Sequence, residues 1–106
     1  MVVLAEKQLW TADEILAALS EHGAELRALG VRRIGLFGSY GRGSPTVHSD
    51  IDLLVTLDRS TFDTYMDVKL FLEDLFQRRV DLVLEKSLKP RLRPRIMAEV
   101  TYAQGV

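Results

Sequence analysis

Residues 34–57, IGLFGSYGRGSPTVHSDIDLLVTL, hold the passage that decides the fold. An apolar run stops at Phe37 and meets Gly38-Ser39. A small, glycine-rich polar stretch follows, and the chain then re-enters an apolar run through Asp50-Ile51-Asp52. Apolar runs of this length bounded by glycine and polar residues read as strands. The spacing therefore predicts strands over Val31–Phe37 and Ile51–Leu57, with a short helix beginning at Ser39.

Outward from this passage, helical and extended segments alternate. Thr11 and Glu14 form a capping-box pattern. Ile15, Leu19, His22, Leu26 and Leu29 recur at spacings of four and three and are closed by Gly30, which predicts one amphipathic helix over 11–29. From Phe62 to Phe76 the period is again helical. Tyr65, Val68, Leu72 and Leu75 lie on one stripe, and Met66, Leu70 and Phe71 widen it beyond a single core face. The extra width reads either as burial on both sides or as a surface for a partner. Val80–Leu84 (VDLVL) predicts a third strand. KSLKPRLRPRIMAEVTYA then gives Pro-punctuated basic residues, a short helix and a last strand near Val100–Ala103. The order α-β-α-β-α-β implies a sheet covered mainly by helices, an α/β domain in the broad sense.

At 106 residues, 47% hydrophobic and 27% charged, the chain is expected to form one globular domain over 1–106. A formal net charge of -1 provides no global basic field, so direct nucleic-acid binding is not expected. Cysteine is absent, which excludes disulfides and thiolate metal sites. The start MVVLAEKQLW lacks a basic-then-apolar signal pattern, and no run approaches the ~20 apolar residues of a membrane span. A cytoplasmic protein without membrane contact is the expectation.

On a strand, side chains two apart share a face, so Asp50 and Asp52 are predicted to project together, ~6 to 7 Å apart at the backbone. Held this close, the two carboxylates repel, and a cation between them turns repulsion into binding. Oxygen-only ligands suit Mg²⁺, which uses one or two carboxylates plus water and substrate phosphate. Gly38-Ser39, where a strand stops and a helix starts, offers N–H groups, close backbone approach and a hydroxyl to a phosphate. Arg42, one turn on, lies within reach of the same anion. Taken singly, an Asp-x-Asp pair reads as a solvated strand end.

Together, G38-S39 followed by D50-I51-D52 resembles the signature of the DNA polymerase β nucleotidyltransferase superfamily. Nearly the whole chain is similar to its smallest branch, the minimal nucleotidyltransferase (MNT) proteins of prokaryotes. The resemblance implies the nucleotidyltransferase fold, an α+β arrangement with a mixed sheet. It also implies a third carboxylate, and Asp81 fills that place; the alternative for Asp81 is an ion pair with Arg78 or Arg79. It further implies two Mg²⁺ ions held by Asp50, Asp52 and Asp81, and the β and γ phosphates of an NTP, with ATP as donor, held by Ser39 with Gly38 and Arg42. The reaction implied is transfer of a nucleoside monophosphate to a hydroxyl, with Asp81 helping to take the acceptor's proton.

MNT proteins resemble antitoxins paired with a HEPN-domain ribonuclease toxin and can adenylylate a tyrosine on it, so the implied partner is such a toxin. An oligomer is left open. The alternatives are an antitoxin that blocks its partner by contact and a transferase acting on a small hydroxylated molecule. Lys86, Lys89, Arg91, Arg93 and Arg95 read as a solvated basic face or as a contact for a triphosphate, RNA near the toxin or an acidic partner surface. His48 reads as an exposed loop residue, with tuning of phosphate binding as its alternative, His22 as packed or edge-located on its helix, Tyr40 as packed or stacked on a base, and Trp10 as a core anchor or a hydrophobic staple.

Overall fold

The computed structural model describes residues 9–106; the reading of the chain's first eight residues lies outside them. The elements are α1 (Ala12–Glu21), α2 (Gly23–Ala28), β1 (Val31–Phe37), α3 (Gly38–Gly41), β2 (Ile51–Leu57), α4 (Phe62–Phe76), β3 (Val80–Leu84), α5 (Arg93–Glu99) and β4 (Thr101–Tyr102), with a 3-10 turn at Glu85–Ser87. The strands form one sheet in the order β3-β2-β1-β4. β1 pairs antiparallel with β2 and β4, whereas β2 and β3 are parallel and joined by α4. A parallel pair needs such a crossover, because a tight hairpin reverses direction. The sheet is mixed, as the resemblance implied. Among the described residues no helix is long and apolar enough to cross a membrane.

Strand alternation sorts the sheet into two faces. Ile34 and Leu36 of β1, Ile51, Leu53, Val55 and Leu57 of β2, and Val80 and Leu82 of β3 enter one core with Ile15, Leu19 and Leu26 of the first helices and Val68, Leu72 and Phe76 of α4. Residues of opposite parity, Asp52 and Asp81 among them, therefore face away from that core. Trp10 anchors the packed layer: its Nε1–H donates to the Phe76 carbonyl at 3.1 Å and its ring meets Phe76 edge-on at 5.0 Å.

The helix expected over 11–29 is broken in two. Thr11 and Glu14 do form the capping box. His22 then leaves helical geometry and caps α1, and Gly23 starts α2. A Cβ at Gly23 would stand 3.3 Å from the Gly105 carbonyl carbon, so the chain's end is packed against the break. The apolar periodicity is continuous across this bend, where a residue distant in sequence packs. The reading of α4 as buried on both sides is also corrected: Phe62 and Leu70 are exposed.

β3 lies at the edge of the sheet, where outward backbone groups invite mispairing. Side chains of α4 occupy that edge. The Val80 N–H donates to Glu73 Oε2 at 3.0 Å, the Val80 carbonyl accepts from Lys69 Nζ at 2.5 Å, and the Leu82 carbonyl accepts from the Tyr65 hydroxyl at 2.6 Å. The Val80 N–H, followed by Lys69, holds the Glu73 carboxyl below its ordinary value of 4.5. A carboxyl lowered in the folded state stabilises it above that ordinary value, and the contribution fades as pH falls through the folded one. Glu73→Ala should lower stability at neutral pH by about 1–3 kcal/mol, the scale of a buried N–H left unpaired. Urea unfolding as a function of pH checks this, and the gap from the parent protein should narrow in acid.

Candidate active site

The site is assembled where β1 ends. Phe37 is extended, and Gly38 turns the chain with φ +75 into the single turn α3, closed by Arg42 N–H to the Gly38 carbonyl at 2.9 Å. That φ favours glycine, and the surroundings require it independently. Phe37 is the register partner of Asp52, and a Cβ on Gly38 would lie 2.8 Å from Asp52 Cγ. Gly38 therefore makes room for the Asp52 carboxylate directly beneath the turn. Ser39 is half-buried beside it. Tyr40 is fully buried in the core, which removes the base-stacking reading and makes it the anchor of the turn.

On the other side of β2, Asp52 pairs in register with Asp81 of β3. Residues in register on neighbouring strands project from the same face, so the sheet presses two carboxylates together. Burial pushes the Asp52 carboxyl up to about 6, aided by the charge and hydrogen bond of Asp81 and then by the charge of Asp50, with Arg42 opposing. Asp81 is exposed, and its alternative ion pair with Arg78 or Arg79 does not form among the described residues. Asp50 lies just before β2, which starts at Ile51 as expected, and is exposed. Asp52 and Asp81 are thus brought together, with Asp50 at the exit of the loop above them.

These residues suit a divalent cation on their chemistry. A half-buried carboxylate raised by burial and then by like charges has an electrostatic deficit that a cation relieves, and the donors are all oxygen. Among the described residues no three carboxylate or imidazole side chains form a complete cage. A partial set leaving positions to water and phosphate is the pattern Mg²⁺ accepts.

Two further residues enter the site. Arg42 Nη1 is paired with Glu99 Oε1 of α5 at 3.1 Å, so the cation expected to meet phosphate already has a carboxylate partner. Nothing local marks Glu99, which arrives from 57 residues away. Arg78 is buried, and its Nη2 donates to the carbonyls of Val47 at 2.9 Å and Ser49 at 3.3 Å. Its sequence signal, two arginines before a strand, suggested only an ion pair. His48 is exposed and, with Val47, Ser49, Asp50, Arg78 and Arg79, lines a cavity of about 190 Å³. The basic run at Lys86–Arg95 is solvent-facing, with Arg93 paired to Glu85 and Arg95 to Glu99.

Comparison with known proteins gives the family and the fold. The nucleotidyltransferase domain family matches residues 13–103. The chain is 40% identical over 94 residues to the protein adenylyltransferase MntA of Thermococcus cleftensis, a match covering 87% of this chain and 95% of that protein. A chain solved as a minimal nucleotidyltransferase superposes with a TM-score of 0.67 at 35% identity, covering 81% of this chain and 93% of that one. A chain of the solved complex between tri-AMPylated Shewanella oneidensis HEPN toxin and MNT antitoxin superposes with a TM-score of 0.60, covering 86% of this chain and 73% of that one; at 21% identity this likeness is one of fold.

Because the Asp52 carboxyl is raised in the folded state, its ionisation opposes folding. The penalty is absent below the ordinary value of 3.8, grows between 3.8 and about 6, and is complete above that. Asp52→Asn should therefore stabilise the metal-free protein at neutral pH by on the order of 1 kcal/mol, given partial exposure, with no gain in acid. Mg²⁺ should raise the melting temperature of the parent protein and not of the variant. Equal stability at neutral pH, or an equal response to Mg²⁺, would contradict the carboxylate repulsion.

Proposed function

The chain belongs to the nucleotidyltransferase domain family, and on that premise we propose that it transfers AMP from ATP to a tyrosine hydroxyl of a partner HEPN-domain toxin and so acts as an antitoxin. The observation that carries this reading is the in-register pair Asp52 and Asp81 beneath the Gly38-Ser39 turn. The 40% identity to a protein adenylyltransferase supports a protein as acceptor and AMP as the transferred group.

In this mechanism Asp50, Asp52 and Asp81 would hold two Mg²⁺ ions. When bound, these ions supply the charge neutralisation that an in-line displacement at phosphorus requires. The chain's own residues bind and orient. The first N–H groups of α3, which lack intrahelical acceptors, and the Ser39 hydroxyl receive the β and γ phosphates. Gly38 lets them approach the backbone. Arg42 joins them as the phosphates compete with Glu99 for its guanidinium. The acceptor oxygen forms its bond to the α-phosphorus as the bond to pyrophosphate breaks, and the hydroxyl proton passes to the Asp81 carboxylate. Asp81 is suited to this because it is the exposed member of the pair and meets an incoming partner first.

A contact-only antitoxin is the second reading. It is favoured by Phe62 and Leu70, 77% and 57% exposed and eight residues apart on α4. Incubating the chain and its partner toxin with labelled ATP and Mg²⁺ separates the two. Label should appear on a partner tyrosine, and Asp52→Asn should reduce it on the order of a hundredfold or more, the scale for removing one transition-state-stabilising group. Neutralised toxin without label would establish the contact reading. Undiminished labelling by Asp52→Asn would remove the carboxylates from the mechanism.

A further inference from the structure

We propose that Arg78 is the positioning residue for Asp50, acting by clamping the loop that delivers this carboxylate to the Asp52–Asp81 pair. The inference rests on the nucleotidyltransferase reading above, in which Asp50 is a metal ligand.

Arg78 is 8% exposed. It has no carboxylate partner among the described residues, and its Nε and Nη1 have no hydrogen-bond acceptor there. A buried guanidinium in this state is costly, and an apolar side chain would serve packing better. What it does make is specific. Nη2 donates to the carbonyls of Val47 and Ser49, and its Cζ stands 5.8 Å from the centroid of the buried Tyr40 ring. Through Tyr40 it touches α3, the proposed phosphate turn. Through the two carbonyls it touches the return loop. It also lies three residues before Asp81. A single side chain thus joins the three segments that carry the site.

Asp50 needs such a clamp more than its neighbours do. Asp52 and Asp81 are fixed by sheet register, whereas Asp50 stands outside β2, and its backbone position depends on the loop. That loop is braced internally: the Ser49 N–H donates to the Thr46 carbonyl at 3.0 Å, and the Thr46 N–H to Ser49 Oγ at 2.9 Å. Its anchorage to the rest of the protein flanks Asp50 on both sides. The preceding carbonyl, of Ser49, is held by Arg78, and the following N–H, of Ile51, donates to the Arg79 carbonyl at 3.0 Å. The second tie is ordinary strand pairing; the first depends on the Arg78 side chain alone.

The test is a double-mutant cycle read by binding of Mn²⁺ alone, followed by the electron paramagnetic resonance of the free ion on the full chain. Asp50→Asn should weaken Mn²⁺ binding. Arg78→Met should weaken it about tenfold or more, the scale for residues that orient a metal ligand. The effect of Arg78→Met should disappear in the Asp50→Asn background, since the clamp then has no ligand to place. Undiminished Mn²⁺ affinity in Arg78→Met, or the same loss in both backgrounds, overturns the proposal. Unchanged affinity in Asp50→Asn itself would instead overturn the assignment of Asp50 as a ligand, on which the proposal stands. Thermal melting verifies folding, and if Arg78→Met does not fold, Arg78→Gln takes its place in the cycle under the same criteria.

Discussion

The site depends on one steric fact: the Asp52 carboxylate occupies the space where a Cβ on Gly38 would be. Sheet register brings Phe37 opposite Asp52 and Asp52 opposite Asp81, so the end of β1, the start of β2 and the start of β3 meet at one level. A turn made there by any residue but glycine would expel the central carboxylate. With glycine, the turn that offers N–H groups to an anion and the carboxylates that suit a cation lie in direct contact. On the proposed reading, substrate phosphate and metal would meet at this one level of the sheet.

Register is only as firm as the edge strand that sets it. β3 has one pairing neighbour, and a slip of one residue would turn Asp81 into the core and Leu82 outward. Lys69, Glu73 and Tyr65 of α4 prevent this by bonding the outward backbone groups of Val80 and Leu82. The crossover helix therefore covers the apolar face of the sheet and also fixes the height at which Asp81 stands.

Much of this was legible in the sequence because it is local. β1, β2, α4 and β3 have the bounds expected from apolar runs, glycine and capping signals, and the Asp52–Asp81 proximity follows once the two strands are neighbours. What was not legible came from contacts distant in sequence. Gly105, 82 residues ahead of Gly23 in the chain, packs against the break at His22, and the pairing of Arg42 with Glu99 depends on where α5 returns. Asp50 was expected to project beside Asp52 from the strand end, and it stands one residue outside β2, whose hydrogen-bonded ladder begins at Ile51. Arg78 entered only as one of two alternative ion-pair partners of Asp81, because a sequence gives its charge and not its depth.

Three partly buried carboxylates show where the fold has chosen not to satisfy a charge. Glu73 is lowered by the Val80 N–H and Lys69. Burial raises Glu85, yet Arg33, together with the hydroxyls of Thr56 and Tyr102, outweighs it and leaves the group lowered. Asp52 has the opposite sign: burial, Asp81 and Asp50 all raise it, and Arg42, drawn toward Glu99, does not restore the balance. The same chain that supplies an arginine, a threonine and a tyrosine to Glu85 supplies two more aspartates to Asp52. Where structure alone is at stake the compensating group comes from the protein. At Asp52 the protein supplies none that outweighs the burial and the like charges, and a perturbed carboxylate of this kind is what the proposed cation site rests on.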